Sequence, residues 1–259
     1  MIAQIDFEDG VYLKRCDLLN YMGAFGGKAE GAYNLIKKGI EDGYTEFVTV
    51  GSRFSPQCDI VSKICEGLNV KCVLFMPNGK RTEVITNIEK RSTSRLNLIS
   101  SGAYRNVLIK RAKDYCKNNN SYYVPFGMLC AKNIDVISRQ VINVPSNIKR
   151  IIVPVGSGTT MIGIIKGLNK YNRTDIEVIG IITGSNLCKK NIKNFISPLF
   201  NRVRYRLYNY KENIKPDELY KIHTNEYIGN IRLDPIYEGK CKKFIKTGDL
   251  LWIVGYHEI

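Results

Sequence analysis

The sequence contains two histidines, His223 and His257, among its 259 residues. Two histidines cannot form a three-histidine metal site, and they give a Ser-His-Asp triad little support. The eight cysteines form no CxxC pair, which argues against a zinc ribbon or a dithiol redox motif. We therefore predict no metal site and interpret both histidines as surface or packing residues.

Long apolar runs are also absent from the sequence. No stretch approaches the roughly 20 residues that a membrane-spanning helix needs. The N-terminal segment MIAQIDFEDG lacks the basic region and the apolar core of a signal peptide. These absences predict a cytoplasmic protein with reduced thiols and no membrane partner.

Acidic residues are few relative to basic ones. The chain has 39 Lys and Arg against 24 Asp and Glu, a formal net charge of +15. A positive field attracts polyanions and anionic substrates. A solvated basic surface without a specific partner explains the same count, and both interpretations stay open.

Apolar runs of strand length alternate with segments of helical periodicity. The predicted strands are Thr45–Val50, Lys71–Phe75, Tyr122–Pro125, Arg150–Val155, Glu177–Thr183 and Leu250–Val254. The predicted helices are Ala29–Asp42, Cys58–Gly67, Tyr104–Asn118 and Thr160–Asn169. Such alternation predicts an α/β fold with a mainly parallel sheet between helices. The stretches Pro77–Arg95 and Asn186–Asn225 have weak periodicity and are predicted to be irregular.

A glycine-rich segment lies between a predicted strand and a predicted helix. Gly156 and Gly158 would let the backbone approach an anion, and the helix N-terminus would direct N–H groups at it. Ser157, Thr159 and Thr160 add hydroxyl donors. The spacing matches neither a Walker A loop nor a GxGxxG dinucleotide site. A phosphate site and a plain strand–helix turn both remain possible here.

A second motif surrounds Lys28, which follows two glycines and opens a predicted helix. Positive backbone dipoles near the helix start would lower its pKa and favour the neutral amine. A neutral amine can form a Schiff base with an aldehyde cofactor. A surface lysine after a flexible turn is the alternative.

Several segments together resemble a known family. The pattern K-x-x-G-A-x-N from Lys28 to Asn34 resembles the lysine helix of fold-type II pyridoxal-phosphate (PLP) enzymes such as threonine dehydratase. Further matching segments are LKR at 13–15 with Asp17, AFGG at 24–27, TVG at 49–51, VKCVL at 70–74 and LDPIYEGK at 233–240. Their order and spacing are similar to those of 1-aminocyclopropane-1-carboxylate (ACC) deaminase and D-cysteine desulfhydrase, members of the tryptophan-synthase-β-like group.

The resemblance implies a two-lobed fold-type II architecture, with a mainly parallel sheet flanked by helices in each lobe. Residues 29–129 would form the small lobe, and residues 1–28 and 130–259 the large, cofactor-binding lobe. It also implies a homodimer.

The resemblance further implies roles for individual residues. Lys28 would hold PLP as a Schiff base and later move the substrate α-proton. The segment Gly156–Thr160 would bind the cofactor phosphate, and Glu238 would face the pyridine nitrogen. Tyr237 would donate a proton or contact the substrate, and Ser55 would contact the substrate carboxylate or the cofactor face.

The chain departs from the family at two points. Pro56 occupies the position of an asparagine that holds the cofactor ring oxygen, and the region after Asn186 is compressed. The leading interpretation is a PLP-dependent lyase or deaminase acting on an amino-acid-like amine through Lys28. One alternative is a PLP enzyme whose amine is attached to a nucleic-acid base, as in phage-type DNA hypermodification. The other alternative is a catalytically inactive binding scaffold.

Overall fold

The computed structural model describes residues 1–54, 56–100, 105–184, 187–196, 202–212, 214 and 216–255. The strands are β1 (Ile5–Glu8), β2 (Val11–Arg15), β3 (Asn20–Tyr21), β4 (Ala24–Phe25), β5 (Glu46–Val50), β6 (Lys71–Pro77), β7 (Ser94–Ile99), β8 (Tyr122–Tyr123), β9 (Arg150–Val155), β10 (Glu177–Ile182), β11 (Tyr205–Asn209), β12 (Tyr227–Ile228), β13 (Ile231–Arg232) and β14 (Leu250–Ile253). The α-helices are α1 (Ala29–Glu41), α2 (Pro56–Gly67), α3 (Glu83–Glu89), α4 (Arg105–Asn119), α5 (Ala131–Arg139), α6 (Thr159–Lys170), α7 (Leu187–Ile196) and α8 (Pro216–Leu219).

The chain divides into two compact units. Unit 1 consists of Met1–Leu19 and Ala131–His257, and unit 2 consists of Asn20–Cys130. Residues 20–28 therefore belong to unit 2, whereas the division drawn from the sequence left them with the large lobe.

Unit 1 is built on a six-stranded sheet in the order β1-β2-β14-β9-β10-β11. All neighbouring strands in it are parallel except the β1–β2 pair. Helices α5 and α6 pack so closely that a Cβ added to Gly163 of α6 would lie 2.5 Å from Cβ of Ile137 in α5. Glycine is therefore required at 163 for the two helices to approach each other.

Unit 2 is built on a four-stranded sheet in the order β7-β6-β5-β8, and all its pairs are parallel. One face packs on α1 and α2 through side chains such as Ile36 and Ile64. The other face packs on α4 through Leu108 and Ala112. Helices cover both faces, so the predicted α/β fold with mainly parallel sheets is confirmed in each unit.

The structure corrects the prediction of two irregular stretches. Residues Pro77–Arg95 contain α3, whose buried Ile85 and Ile88 lie three positions apart on one helix face. Residues Asn186–Asn225 contain α7, α8 and β11. The sequence did not predict strand β11, because its side chains on both faces are largely exposed. Such a strand lacks the alternation of apolar and polar residues by which a half-buried strand is recognised. No helix in the described part of the chain is long and apolar enough to span a membrane.

Candidate functional site

The glycine-rich segment forms the turn between β9 and α6. Gly158 immediately precedes the helix and adopts a left-handed backbone, with φ of 92°. A Cβ on Gly158 would lie 3.0 Å from Cγ1 of Ile192. Both the backbone angle and the close neighbour require glycine, so the motif predicted from the sequence has a structural basis at this position.

Polar groups surround this turn. The hydroxyls of Ser157 and Thr159 lie 3.0 Å apart, and the side-chain amide of Asn191 donates a 2.9 Å hydrogen bond to the Ser157 carbonyl. Thr160, half-buried, occupies the first turn of α6. The first N–H groups of a helix have no partner within the helix and attract anions. The turn therefore combines backbone donors and hydroxyls, as a phosphate site requires.

Two tyrosines lie beside Gly156. A Cβ on Gly156 would be 3.4 Å from both the Tyr220 hydroxyl oxygen and Cε1 of Tyr237. The two rings meet edge to face, with centroids 6.1 Å apart. A Cβ on Gly184 would lie 2.2 Å from Cζ of Tyr220, so this ring rests directly on the Gly184 backbone. Burial raises the pKa of Tyr237 well above its usual range, which keeps the phenol protonated.

The sequence did not predict Tyr220 or Gly184 as site residues. Tyr220 lies in the stretch of weak periodicity, and Gly184 follows β10 without a recognisable motif. The only signal was positional. Gly184 lies two residues beyond the end of β10, a parallel strand that neighbours β9, and ligands of α/β sheets gather at such carboxyl ends.

The LDPIYEGK segment forms a compact turn organised by Asp234. The Asp234 carboxylate accepts 2.8 Å hydrogen bonds from the backbone N–H groups of Ile236 and Tyr237. A Cβ on Gly239 would lie 2.0 Å from the hydroxyl oxygen of Thr224. These two constraints hold Tyr237 and the residue after it in position.

Glu238 follows in the same turn and is completely buried. Its Oε1 accepts a 2.6 Å hydrogen bond from the backbone N–H of Val254. Its Oε2 has no hydrogen-bond partner among the described residues. Burial, and then the nearby Asp234 charge, raise the pKa of Glu238 well above its usual range.

Lys240 is also completely buried. Its ammonium donates a 2.6 Å hydrogen bond to the carbonyl of Leu219, the residue before Tyr220. Burial lowers the pKa of Lys240 to about 8. The contact ties the LDPIYEGK turn to the segment that carries Tyr220.

Lys28 lies in unit 2, where it immediately precedes α1. The backbone N–H of Ala29 bonds to the Gly26 carbonyl at 2.9 Å, and Gly26 has φ of 116°, so the glycine pair forms the turn into the helix. Burial lowers the pKa of Lys28 to about 8, while the neighbouring Cys58 opposes the shift. From the sequence, we had expected backbone dipoles to lower the pKa of Lys28. In the structure, desolvation is the main cause of the lowered pKa.

Ser55 lies outside the described residues. Pro56 is the first residue of α2, a position where proline fits because the missing N–H would have no helical partner. The next residue, Gln57, donates hydrogen bonds to the Thr49 hydroxyl at 3.0 Å and the Pro125 carbonyl at 2.8 Å. The Gln57 amide is therefore engaged within the fold.

The predicted site residues fall into two groups. Gly156–Thr160, Tyr237 and Glu238 belong to unit 1, and the structure brings the glycine turn and Tyr237 together there. Lys28 belongs to unit 2. No cluster of three His, Cys, Asp or Glu side chains suited to a metal ion occurs in the described part of the chain.

Comparison with known proteins gives consistent results. A family model described as pyridoxal-phosphate dependent enzyme matches residues 3–200. An ACC deaminase homologue of known structure shares 21% identity with a TM-score of 0.77, over 99% of this chain and 89% of its own. An aspartate racemase described as pyridoxal 5'-phosphate-dependent shares 12% identity with a TM-score of 0.72, over 100% and 91%. The serine racemase of maize shares 12% identity with a TM-score of 0.67, over 99% and 89%. A search of curated proteins finds no significant match.

The residues of this chain fit PLP chemically. The Oε2 atom of the buried Glu238, which has no partner within the described part of the chain, offers an acidic contact to a pyridine nitrogen. The turn Gly156–Thr160 leads into the N-terminus of α6, where backbone N–H groups and hydroxyls would bind a phosphate. Because the family model covers most of the chain, this protein belongs to the pyridoxal-phosphate dependent enzyme family, and its cofactor is pyridoxal 5'-phosphate.

Proposed function

We propose that this protein is a PLP-dependent lyase or deaminase that acts on an amino-acid-like amine, with Lys28 as the residue that holds the cofactor. The family assignment supports the cofactor. Several proteins of similar fold are named for related reactions: an ACC deaminase homologue, a threonine deaminase from Solanum lycopersicum and a diaminopropionate ammonia lyase from Escherichia coli. Racemases share the fold as well. An activity assay must therefore distinguish a lyase or deaminase from a racemase.

The buried carboxyl of Glu238 is the observation that carries this proposal. One oxygen is used by the Val254 N–H, and the other is available to a ligand. Since its pKa is raised by burial, Glu238 retains a proton that it can share with a pyridine nitrogen. When bound, PLP supplies an electron sink for the electrons released at the substrate α-carbon, and an acid beside its nitrogen strengthens that sink.

Lys28 has the properties of a proton-transfer group. With a pKa of about 8, roughly a tenth of its amine is neutral at pH 7, compared with well under a hundredth for an ordinary lysine. The neutral amine can attach to the cofactor aldehyde and can accept a proton from the substrate. The neutral phenol of Tyr237 would donate a proton.

The glycine turn would bind the cofactor phosphate. Its candidate ligands are the first N–H groups of α6 and the hydroxyls of Ser157, Thr159 and Thr160. Backbone donors at a helix N-terminus bind an anion without a neutralising lysine or arginine.

The proposal is tested by adding PLP to the purified protein and recording the visible absorption spectrum. We expect a band near that of other lysine-bound PLP proteins, loss of the band in Lys28→Ala, and retention of the band in Lys37→Ala. Lys37 is an exposed lysine of α1, the helix that Lys28 precedes, and serves as the matched control. Borohydride reduction followed by peptide mass spectrometry should locate the cofactor on Lys28.

A folded protein that takes up no PLP would contradict the proposal and favour a binding scaffold. If PLP binds, amino acids are then screened for release of ammonia and a keto acid. Racemisation without ammonia release would overturn the lyase or deaminase assignment while leaving the cofactor site intact. Reaction with a modified nucleoside but with no free amino acid would favour an amine attached to a nucleic-acid base.

A further inference from the structure

Strand β11 carries a surface rich in basic and aromatic residues. Residues Arg202–Glu212 read RVRYRLYNYKE, with four basic residues against one acid. The strand is the last in the unit 1 sheet and pairs with β10. We use the name basic–aromatic face for the surface formed by Arg204, Arg206, Tyr208, Lys211, Lys243 and Phe244.

The direction of the side chains follows from the pleat of β11. The Leu207 side chain points toward Gly180 of β10. A Cβ added to Gly180 would lie 2.7 Å from Cδ2 of Leu207, on the side where Met161 of α6 also packs. Alternate residues point to opposite faces, so Arg206 and Tyr208 lie on the other side of the sheet. The ring of Phe244 lies there, with its centroid 5.9 Å from that of Tyr208 and the two planes tilted by 31°.

The Tyr208 ring offers a stacking surface. This side chain is 38% exposed, in contrast to the buried apolar residues of the neighbouring strand β10. The half-buried Phe244 packs beside this ring, with the two planes tilted by 31°. An exposed aromatic ring supported in this way can stack with an unpaired base.

Lysine ammonium groups lie near Phe244 and near Tyr210, the residue that follows β11. Lys243 Nζ lies 5.1 Å from the Phe244 centroid and 4.6 Å from the Tyr210 centroid, and Lys211 Nζ lies 5.8 Å from the Tyr210 centroid. Both lysines are exposed.

Arginines extend the positive charge along β11. Arg206 is partly neutralised by Glu177, at 2.7 Å. Arg204 is exposed and lies on the same side of the strand by alternation. Even with the Arg206–Glu177 pair counted as neutral, the face retains the charges of Arg204, Lys211 and Lys243.

We propose that the basic–aromatic face binds single-stranded nucleic acid. Tyr208, supported by Phe244, would stack with a base, while Arg204, Lys211 and Lys243 would contact phosphates. A duplex keeps its bases stacked inside and cannot use the Tyr208 ring, and acidic side chains alone would engage the cations but not the ring. The combination of an exposed ring and cations therefore favours a single strand. This binding does not depend on the chemistry at Lys28.

The test is fluorescence anisotropy with a labelled single strand of about 20 nucleotides, as DNA and as RNA, at near-physiological salt. Tyr208→Ala should weaken binding of the single strand by about 5- to 100-fold, and Tyr208→Phe, which keeps the ring, should bind as the wild type does. Circular dichroism and PLP absorbance of both variants should match the wild type. A clear preference for RNA or DNA identifies which of the two is the natural ligand.

Two charge-matched double variants distinguish binding at this face from non-specific attraction by the overall positive charge. Arg204→Gln/Lys211→Gln removes two charges from the face, and Lys110→Gln/Lys117→Gln removes two exposed charges from α4 in unit 2. We expect the first to weaken binding about 10-fold or more and the second by less than about 2-fold. Equal losses would overturn the proposal.

Three further results would also overturn it: no binding by the wild type, equal affinity for a duplex of the same length, or equally effective competition by polyglutamate at equal charge. The last result would identify the face as a site for acidic protein segments.

Discussion

The Oε1 atom of Glu238 accepts a 2.6 Å hydrogen bond from the backbone N–H of Val254, while the Oε2 atom of the same carboxyl has no partner among the described residues. One oxygen thus joins the LDPIYEGK turn to the residue after β14, and the other remains available for a ligand. A buried acid with a hydrogen bond to one of its two oxygens is costly to the fold, since an unpartnered buried polar atom loses its hydration. That cost is consistent with a functional role.

Replacement of Glu238 by glutamine should make the stability of the cofactor-free protein less dependent on pH. Because its folded pKa is raised above the ordinary 4.5, Glu238 holds more protons in the folded state than in the unfolded state. The wild type should therefore lose up to ~1.4 kcal/mol of stability per pH unit above 4.5, until the pH passes the folded pKa, relative to Glu238→Gln. Urea unfolding of both proteins across this pH range measures the difference. A difference that stays constant with pH would contradict the assignment of a buried, protonated acid.

Lys28 should titrate near pH 8 in the cofactor-free protein, because burial disfavours its charged form. Competitive labelling with acetic anhydride as a function of pH, followed by peptide mass spectrometry, measures this midpoint. Lys38 of α1, the helix that Lys28 precedes, is the control, since its ion pair with Asp42 raises its pKa above 10.5. If Lys28 and Lys38 became reactive at the same pH, the Lys28 amine would not be desolvated and the proposed proton transfer would lose its basis.

Gly156→Ala and Gly158→Ala should have different effects although they are two residues apart. At Gly156 the new Cβ would make contacts of 3.4 Å, which are ordinary, so stability should stay within about 1 kcal/mol of the wild type. If the turn binds the phosphate, the added methyl group should hinder close approach of the anion to the backbone, and PLP affinity should fall about 10-fold or more. Gly158→Ala should cost about 1–2 kcal/mol of stability, because φ at this residue is 92°. Thermal unfolding and PLP titration of both variants test the contrast, and a stable Gly156→Ala protein with unchanged PLP affinity would exclude the turn as the phosphate site.

Gly184→Ala should act through Tyr220. Its Cβ would lie 2.2 Å from Cζ of the Tyr220 ring, so the ring must move, at a cost of about 1–3 kcal/mol in stability. In a Tyr220→Ala background the same substitution should be nearly neutral. A double-mutant cycle by urea unfolding measures this coupling. An unchanged cost in the Tyr220→Ala background would mean that another neighbour of Gly184 resists the methyl group.

Much of the fold was predictable because its central strands are buried on both faces. The run RIIVPV appears as β9 with the predicted bounds, and EVIGIIT ends one residue early in β10. Such apolar runs arise where helices cover both sides of a parallel sheet. Strand β11 and helix α3 escaped prediction because an exposed edge strand and a short helix contain too few buried positions to form a pattern.

The sequence by itself determined the motifs: the lysine after two glycines, the glycine turn before α6 and the LDPIYEGK segment, since each depends on residues adjacent in the chain. Only the tertiary structure decided that burial lowers the pKa of Lys28, that Tyr220 rests on Gly184, and that Val254 uses one oxygen of Glu238. Desolvation and close packing depend on groups distant in sequence, and local patterns do not report which groups those are.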